Sequence, residues 1–393
     1  MNIGIDLRAL LNKVKTGVGE YTDELVTHIL ATPTEHHFFL FYNSLHPAKH
    51  LEKYSLYPNV TLVATGWPNK VFNATTWALN APLIDRIIYK KTKKKIDVFF
   101  SPNVNFTALS PTTPHLLTIH DISFEFFPEY FSYKQRLWHT AINPRTTAHN
   151  ATVIITPSEH TRRDVIDYYG IAEHRVRVVR PGLSSSIVEQ LNHVTQNDLA
   201  HLHKKYHLPE KFILFLGTIE PRKNILTLVR GFEDYKKRSP GNPFHLVIAG
   251  AAGWNNHELF EYIAHSPFRS AIHHIGYVDS EDKAALYKSA SLFVYPSLYE
   301  GFGFPVLEAF AAGTPVLTSS RTSLSEVGGD AAYYIHPKHP TDIAEGIERI
   351  STSPSLREHL ITRGYEHGAN FSYHTMAHEW LAIAESIAQK NSH

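Results

Sequence analysis

Residues 295–319 read YPSLYEGFGFPVLEAFAAGTPVLTS. An apolar run, Leu292–Pro296, leads into a loop that carries Glu300, Gly301 and Gly303. Pro305 then marks the start of a helix, Gly313 its end, and Pro315 the start of the next apolar run. Proline is favoured in the first helical turn and glycine just past the last, so the order is strand, loop, helix, turn, strand. The loop glycines let backbone N–H groups come close to a ligand, and the helix N-terminus adds partial positive charge. Glu308 lies one turn into that helix, so it and Glu300 can face one crevice. A carboxylate at the end of a strand accepts bonds from two neighbouring hydroxyls, as sugar rings and ribose present them. Taken singly, Glu300 also reads as a solvated loop acid and Glu308 as a first-turn acid that compensates the helix dipole. The combination of strand, Glu, Gly-x-Gly, Pro and Glu argues for a site.

The same alternation extends in both directions. Further strands are expected at Asn2–Asp6, His37–Tyr42, Val60–Ala64, Asp97–Ser101, Leu116–His120 and Thr152–Thr156 in the first half. The second half offers Phe212–Gly217, Phe244–Gly250, Ile272–Gly276, Pro315–Thr318 and Ala332–Ile335. Helical stretches such as Gly19–Leu30, Ile225–Lys237, Ser280–Ala290 and Thr341–Ile350 lie between them. Such alternation builds parallel sheets covered by helices on both faces. With 393 residues, two α/β domains are expected. A turn-rich and then polar segment after Pro181 puts their boundary near residue 190, so the domains are 1–190 and 191–372. The final stretch, about 373–393, is an amphipathic helix whose Trp380, Leu381 and Ile387 need a surface to cover them. Ligands of doubly wound domains bind at the carboxyl ends of the strands.

Three other stretches put chemistry at strand ends. In FILFLGTIEPRKN, residues 212–224, an apolar strand is followed by Arg222 and Lys223 just before a helix. Two cations there suit a diphosphate, each charge-assisted bond contributing on the order of 1.5–3 kcal/mol. In TGVGEYT, residues 16–22, Gly17 and Gly19 separate the first strand from the first long helix. The third glycine of the dinucleotide fingerprint is missing, which disfavours a nicotinamide cofactor but leaves room for a phosphate or a sugar. In LLTIHDISFEFFPEY, residues 116–130, His120 ends an apolar strand and Asp121 opens the loop, where the histidine can bond a sugar hydroxyl.

Composition limits the alternatives. The 38 basic and 37 acidic side chains leave a net charge of +1, without the basic excess of a nucleic-acid binder. The absence of cysteine removes disulfides, thiolate metal sites and a thiol nucleophile. The 27 histidines are scattered, and His201 with His203 or His273 with His274 read as solvated surface residues rather than ligands. No D-x-D sequence offers metal-clamping carboxylates. The start, MNIGIDLRAL, is strand-like and not a signal peptide, and no run is long enough to span a membrane, so a cytoplasmic protein is expected. The stretch Trp77–Lys95, WALNAPLIDRIIYKKTKKK, reads either as a helix end in water or as a peripheral contact with an anionic membrane surface.

These motifs resemble the retaining GT-B glycosyltransferases of family four, and the resemblance runs along nearly the whole chain. It rests on TGVGEY, SPNVNF, TIHDISFEFFP, VIITPSEHTRRDVIDYYGI, GTIEPRKN, LVIAGAAGW, GYVDSEDKAALYKSA and SLYEGFGFPVLEAFAAGTPVL. Its most specific parts are GTIEPRKN and the pair Glu300 and Glu308 with seven residues between them. The form is similar to bacterial mannosyl- and rhamnosyltransferases that build surface polysaccharides. The resemblance implies two Rossmann-like domains facing across a cleft, the first binding a glycan or lipid-linked acceptor and the second a nucleotide-sugar donor. The last helix would cross back onto the first domain. Lys223 with Arg222 would hold the diphosphate, Glu308 the ribose, and Glu300 with the amides of Gly301, Phe302, Gly303 and Phe304 the donor sugar. Gly17 would approach the diphosphate and His120 the sugar. No cofactor and no metal are expected, and GDP-mannose is the donor that the resemblance favours, ahead of UDP-glucose or UDP-N-acetylglucosamine. Many relatives carry arginine where this chain has Thr218, which places more weight on Lys223 and Arg222. An epimerase of the same architecture and a non-catalytic nucleotide-sugar binder remain as alternatives.

Overall fold

The computed structural model describes residues 1–11 and 16–390. The first sheet contains β1 (Asn2–Asp6), β2 (His37–Asn43), β3 (Val60–Thr65), β4 (Val98–Ser101), β5 (His115–Thr118), β6 (Val153–Thr156) and β7 (Val176–Val178). Their order is β3-β2-β1-β4-β5-β6-β7, and every pair is parallel. The second sheet contains β8 (Phe212–Leu216), β9 (His245–Ala249), β10 (Ile272–Gly276), β11 (Leu292–Tyr295), β12 (Val316–Ser319) and β13 (Ala332–Ile335). Its order is β10-β9-β8-β11-β12-β13, again parallel throughout. Both are doubly wound α/β sheets, as the alternation of apolar runs and helical stretches predicts. The strand missing from the sequence reading is β7, three residues long at a sheet edge, with Arg177 exposed in its middle. A run that short carries no period.

The chain divides into two compact units. The first comprises Met1–Ile122, Tyr133–Ser184 and the chain from Ser372 onward; the second comprises Ser123–Ser132 and Ser185–Phe371. The division therefore falls at Ser184/Ser185 rather than near residue 190. The helix Ser185–His193, with Ile187 and Leu191 buried, belongs to the second unit. A larger correction concerns Ser123–Ser132, which sequence order alone leaves in the first domain. Its aromatic rings pack on second-unit residues: Phe127 lies 5.8 Å from Tyr299, and Phe131 stacks on Trp254.

In the first unit, α1 (Gly17–Ala31) and the last helix, Tyr373–Lys390, pack together, and that last helix also reaches β4. Its Tyr373, Met376, Ala377, Trp380, Ala384 and Ile387 are buried at helical spacing. Trp380 meets Phe100 of β4 edge-on, with ring centroids 4.9 Å apart. Gly182, where the chain is about to leave this unit, lies against the backbone where the chain returns. A Cβ there would stand 2.3 Å from the Tyr373 nitrogen, so no larger residue fits. On the β1–β3 side, α2 (Asn69–Leu79) and α3 (Ile84–Thr92) deliver Phe72, Ile84 and Ile88 to a core shared with Phe39, Phe41, Val63 and Phe99.

Candidate active site

In a doubly wound sheet, a crevice opens where the strand order reverses. In the second sheet that point lies between β8 and β11, which are neighbours with a helical crossover leaving each. The loop after β8 carries Glu220, Arg222 and Lys223, and the loop after β11 carries Glu300. The two loops meet. Lys223 Nζ donates to Glu300 Oε1 at 2.7 Å and to the Tyr295 hydroxyl at 2.6 Å. Arg222 donates to Glu300 Oε2 at 2.7 Å, to Glu220 Oε1 at 2.7 Å and to the Tyr299 carbonyl at 2.8 Å. Each oxygen of Glu300 thus has its own cation, and two cations face two carboxylates. Mutual neutralisation is what allows four charges to be buried together.

The electrostatics follow from that arrangement. Burial alone would push the Glu300 carboxyl up, but Arg222 and Lys223 outweigh it and hold the carboxyl down at about 2. Burial, with Arg222 adding to it, pulls Lys223 below its ordinary value while Glu300 opposes the shift. Burial, reinforced by Glu300, lifts the Tyr295 phenol well above its usual range, so it remains a hydroxyl. An ammonium has three N–H donors. Among the described residues, two of those on Lys223 are used, which leaves one for an incoming oxygen.

The loop around Glu300 is held from beneath. The one O–H of Ser323 is shared between the carbonyl oxygens of Glu300 and Phe302, and Glu300 N donates to Thr322 Oγ1. The helix Phe304–Ala311 starts without a side-chain cap; Pro305 has no N–H and Val306 N donates to the Gly303 carbonyl oxygen at 3.0 Å, which leaves the Phe304 N–H for an oxygen ligand among the described residues. Gly303 precedes it at φ 135°, and a Cβ there would stand 2.9 Å from Leu324 Cδ2. Only glycine suits that turn.

Glu308 is buried but does not join the Glu300 network. Its Oε2 accepts from the Tyr287 hydroxyl at 2.7 Å, and Lys283 Nζ lies 3.5 Å from Oε1. The two glutamates seven residues apart therefore anchor two separate polar clusters of the second unit. Tyr295, Glu220, Tyr287 and Lys283 escaped the sequence reading. Tyr295 and Tyr287 sit in apolar strand and helix stretches, where tyrosine reads as core. The proximity of Glu220 to Arg222 was visible in EPRK but unused.

In the first unit, His120 stands just past β5, partly buried. Its Nε2 lies 2.9 Å from the Pro102 carbonyl oxygen, so Nε2 carries the proton and Nδ1 the lone pair. Burial pulls its pKa down, with the Pro102 bond and Asp121 opposing, which keeps the ring neutral. Tyr21 presses edge-on against that ring at 4.6 Å and bonds Thr118 Oγ1 at 3.2 Å. Gly17 is the first residue of α1, after the cap in which Thr16 Oγ1 accepts from Gly19 N. A Cβ at Gly17 would meet nothing within 4 Å among the described residues, so none of these requires glycine there.

No group of three or more His, Cys, Asp or Glu is placed to hold a metal ion among the described residues. His273 Nε2 pairs instead with His245 Nδ1 at 2.8 Å.

With this geometry in place, comparison with known proteins is specific. Residues 15–186 match the model described as Glycosyltransferase Family 4, and residues 200–367 match Glycosyl transferases group 1. The chain is 32% identical over 270 residues to O-antigen chain mannosyltransferase B of Escherichia coli, covering 66% of this chain and 68% of that one. It is 34% identical over 241 residues to the serotype-specific mannosyltransferase WbdA of Escherichia coli, covering 59% of this chain but 28% of that longer protein. Among solved structures, Anabaena Alr3699/HepE in complex with UDP-glucose has the same fold, with a TM-score of 0.67 at 16% identity over 98% of this chain and 100% of that one.

Proposed function

The chain belongs to the GT-B glycosyltransferases of family four, and from that premise we propose that it is a retaining, metal-independent hexosyltransferase. Its donor in this proposal is a nucleotide sugar, GDP-mannose before others, and its acceptor a hydroxyl of a glycan or lipid-linked glycan. The mannosyltransferase relatives support the choice of sugar. The observation that carries the reading is the bonded set Lys223, Arg222 and Glu300 at the strand-order reversal of the second sheet.

In this reading the second unit binds the donor. Breaking the anomeric bond leaves negative charge on the diphosphate and positive charge on the sugar ring. Lys223, with its remaining N–H, and Arg222 stabilise the first, supplying the positive charge without a cofactor or metal. The Phe304 amide adds the field of a helix N-terminus. Glu300 bonds donor-sugar hydroxyls with the amides of Gly301 to Phe304, and Glu308 bonds the ribose. The first unit binds the acceptor. There, His120 offers Nδ1 to a sugar hydroxyl, and the Gly17 backbone is assigned to the diphosphate. A donor phosphate oxygen takes the acceptor proton on the face that the leaving group occupied, so no protein nucleophile is assigned.

The test is calorimetry of GDP-mannose, GDP, UDP-glucose, UDP and NAD with EDTA present. One sugar nucleotide is expected to bind, with affinity falling at least tenfold in Lys223→Ala. Silence from all of them, or a response to NAD alone, overturns the reading. Donor turnover without any acceptor to an isomeric nucleotide sugar would favour an epimerase instead.

A further inference from the structure

The basic stretch that follows Trp77 acquires a definite surface in the folded first unit. In α2 the buried side chains are Phe72 and Thr76, and in α3 they are Ile84 and Ile88. Three of these four enter one core, so the opposite faces of both helices turn outward. Those outward positions are not polar throughout. Trp77 is 66% exposed and Leu79 72%, and Val71, Tyr89 and Trp67, just ahead of α2, are exposed with them. The Lys91 ammonium donates to the Ala64 carbonyl at the end of β3. That bond ties the end of α3 to the turn that leads into α2, so Tyr89 and its lysines stand at the same end as Trp67, Lys70 and Val71.

The charge of this surface is as distinctive as its apolar content. Between Gly66 and Ile96 the basic residues are Lys70, Arg86, Lys90, Lys91, Lys93, Lys94 and Lys95, while Asp85 is the sole acid. The whole chain carries only +1, so the rest of it is net acidic. Asp85 accepts from the Ser110 backbone N–H at 2.8 Å, and the nearby Asp97 accepts from Asn2 N–H at 2.8 Å; both are engaged with the fold. Exposed lysines alone would be an ordinary solvated face. Exposed apolar residues scattered singly would also need no explanation. Five large apolar side chains, two of them tryptophan, set among seven cations are a different case. Tryptophan favours the boundary between water and lipid headgroups, and helices that lie in that boundary pair an apolar side with Lys and Arg.

We propose that the outer face of α2 and α3, with Trp67, docks on an anionic bilayer surface. Trp67, Trp77 and Leu79 enter the headgroup region, and Lys70, Lys90, Lys93, Lys94 and Lys95 face the lipid phosphates. No helix among the described residues is long and apolar enough to cross a membrane, so this contact lies on the surface. It does not depend on which donor the enzyme uses.

The experiment is co-sedimentation of the full chain with vesicles of phosphatidylglycerol and phosphatidylcholine, against phosphatidylcholine alone. A Lys90→Gln, Lys93→Gln, Lys94→Gln variant and a Trp77→Ser, Leu79→Ser variant are run beside it. All five side chains are exposed, and an unchanged far-UV spectrum and melting temperature verify each fold. The full chain is expected on the anionic vesicles only, and to be released when salt rises from about 0.1 to about 0.5 M. Each lysine removed costs roughly fivefold in affinity, so the triple variant loses on the order of 100-fold. The Trp77/Leu79 variant is expected to bind at least tenfold more weakly. The proposal fails if neither vesicle binds, if both bind equally, or if the variants bind as the parent does. It fails equally if heparin strips the protein from anionic vesicles at stoichiometric concentration, which would mark a general polyanion surface.

Discussion

At the carboxyl ends of β8 and β11 four charged side chains neutralise one another, whereas His120, past the end of β5, is bonded by a backbone carbonyl and packed by a tyrosine ring, with the negative charge of Asp121 acting on it. Lys223, Arg222, Glu220 and Glu300 form a linked set of ion pairs, and Tyr295 supports it with a hydroxyl. Around His120 the partners are a backbone carbonyl, a tyrosine ring and, through that tyrosine, a threonine. The carboxyl ends of the two sheets have been filled in two ways, one at the strand-order reversal and the other one strand beyond it, and the difference lies in what each can accept. An ionic set can exchange one internal partner for an external anion, because its cations are already desolvated and paid for by their carboxylates. Among the described residues the groups around His120 include no cation, so they offer directional hydrogen bonds to hydroxyls and no positive charge for a diphosphate. This contrast supports a donor role for the second unit and a sugar-hydroxyl role for His120.

The strongest challenge to the contrast is removal of Glu300. Glu300→Ala leaves buried Lys223 without its carboxylate and Arg222 with Glu220 alone, and breaking such a buried pair costs about 3–5 kcal/mol. The loss is expected in the second unit alone, seen as an earlier unfolding step in calorimetric melting, together with at least tenfold slower transfer. Glu300→Gln keeps hydrogen bonding and is expected to recover part of the stability but not the transfer. Full transfer by both purified variants would remove Glu300 from the site.

Acid separates the units next. The Glu300 carboxyl titrates at about 2 in the folded protein against 4.5 for a free group. Its contribution is complete above about pH 4.5 and is lost as pH falls toward 2. In the first unit, burial pushes His115 down to about 4 from 6.5, against a small opposing pull from Asp6. The unfolded chain therefore takes up that proton first, and stability falls between pH 6.5 and 4. Each shift corresponds to about 3 kcal/mol. On acidification the first unit is expected to weaken before the second. His115→Gln, at the side chain that bonds Ser101 Oγ, should flatten the upper window without touching the lower. A pH profile unchanged by His115→Gln would show that other histidines set it.

The smallest effect is expected at Gly17. Ala in its place meets no described residue within 4 Å and is the better helix former, so stability should hold or rise by up to about 1 kcal/mol. If a phosphate approaches this backbone, transfer falls nonetheless. Undiminished transfer in Gly17→Ala would take Gly17 out of the donor's surroundings.

Much of this was legible along the chain because its signals are local. Apolar runs, the prolines and glycines that end helices, and cations beside a strand end all lie within a dozen residues of one another. The two parallel sheets and the candidates Lys223, Arg222 and Glu300 follow from such signals. So does the need of Trp380 for a buried surface, although its sequence names no partner for it. What the chain alone left undecided depends on residues far apart. The separate destinations of Glu300 and Glu308 hinge on Arg222 and Lys223 for one and Tyr287 and Lys283 for the other. The transfer of Ser123–Ser132 to the second unit rests on Tyr299 and Trp254, more than 100 residues onward. The meeting of Phe72 from α2 with Ile84 and Ile88 from α3 in one core came from the packing of the first sheet. A side chain's type sets what it can bond, and only packing of distant segments sets which partner reaches it first.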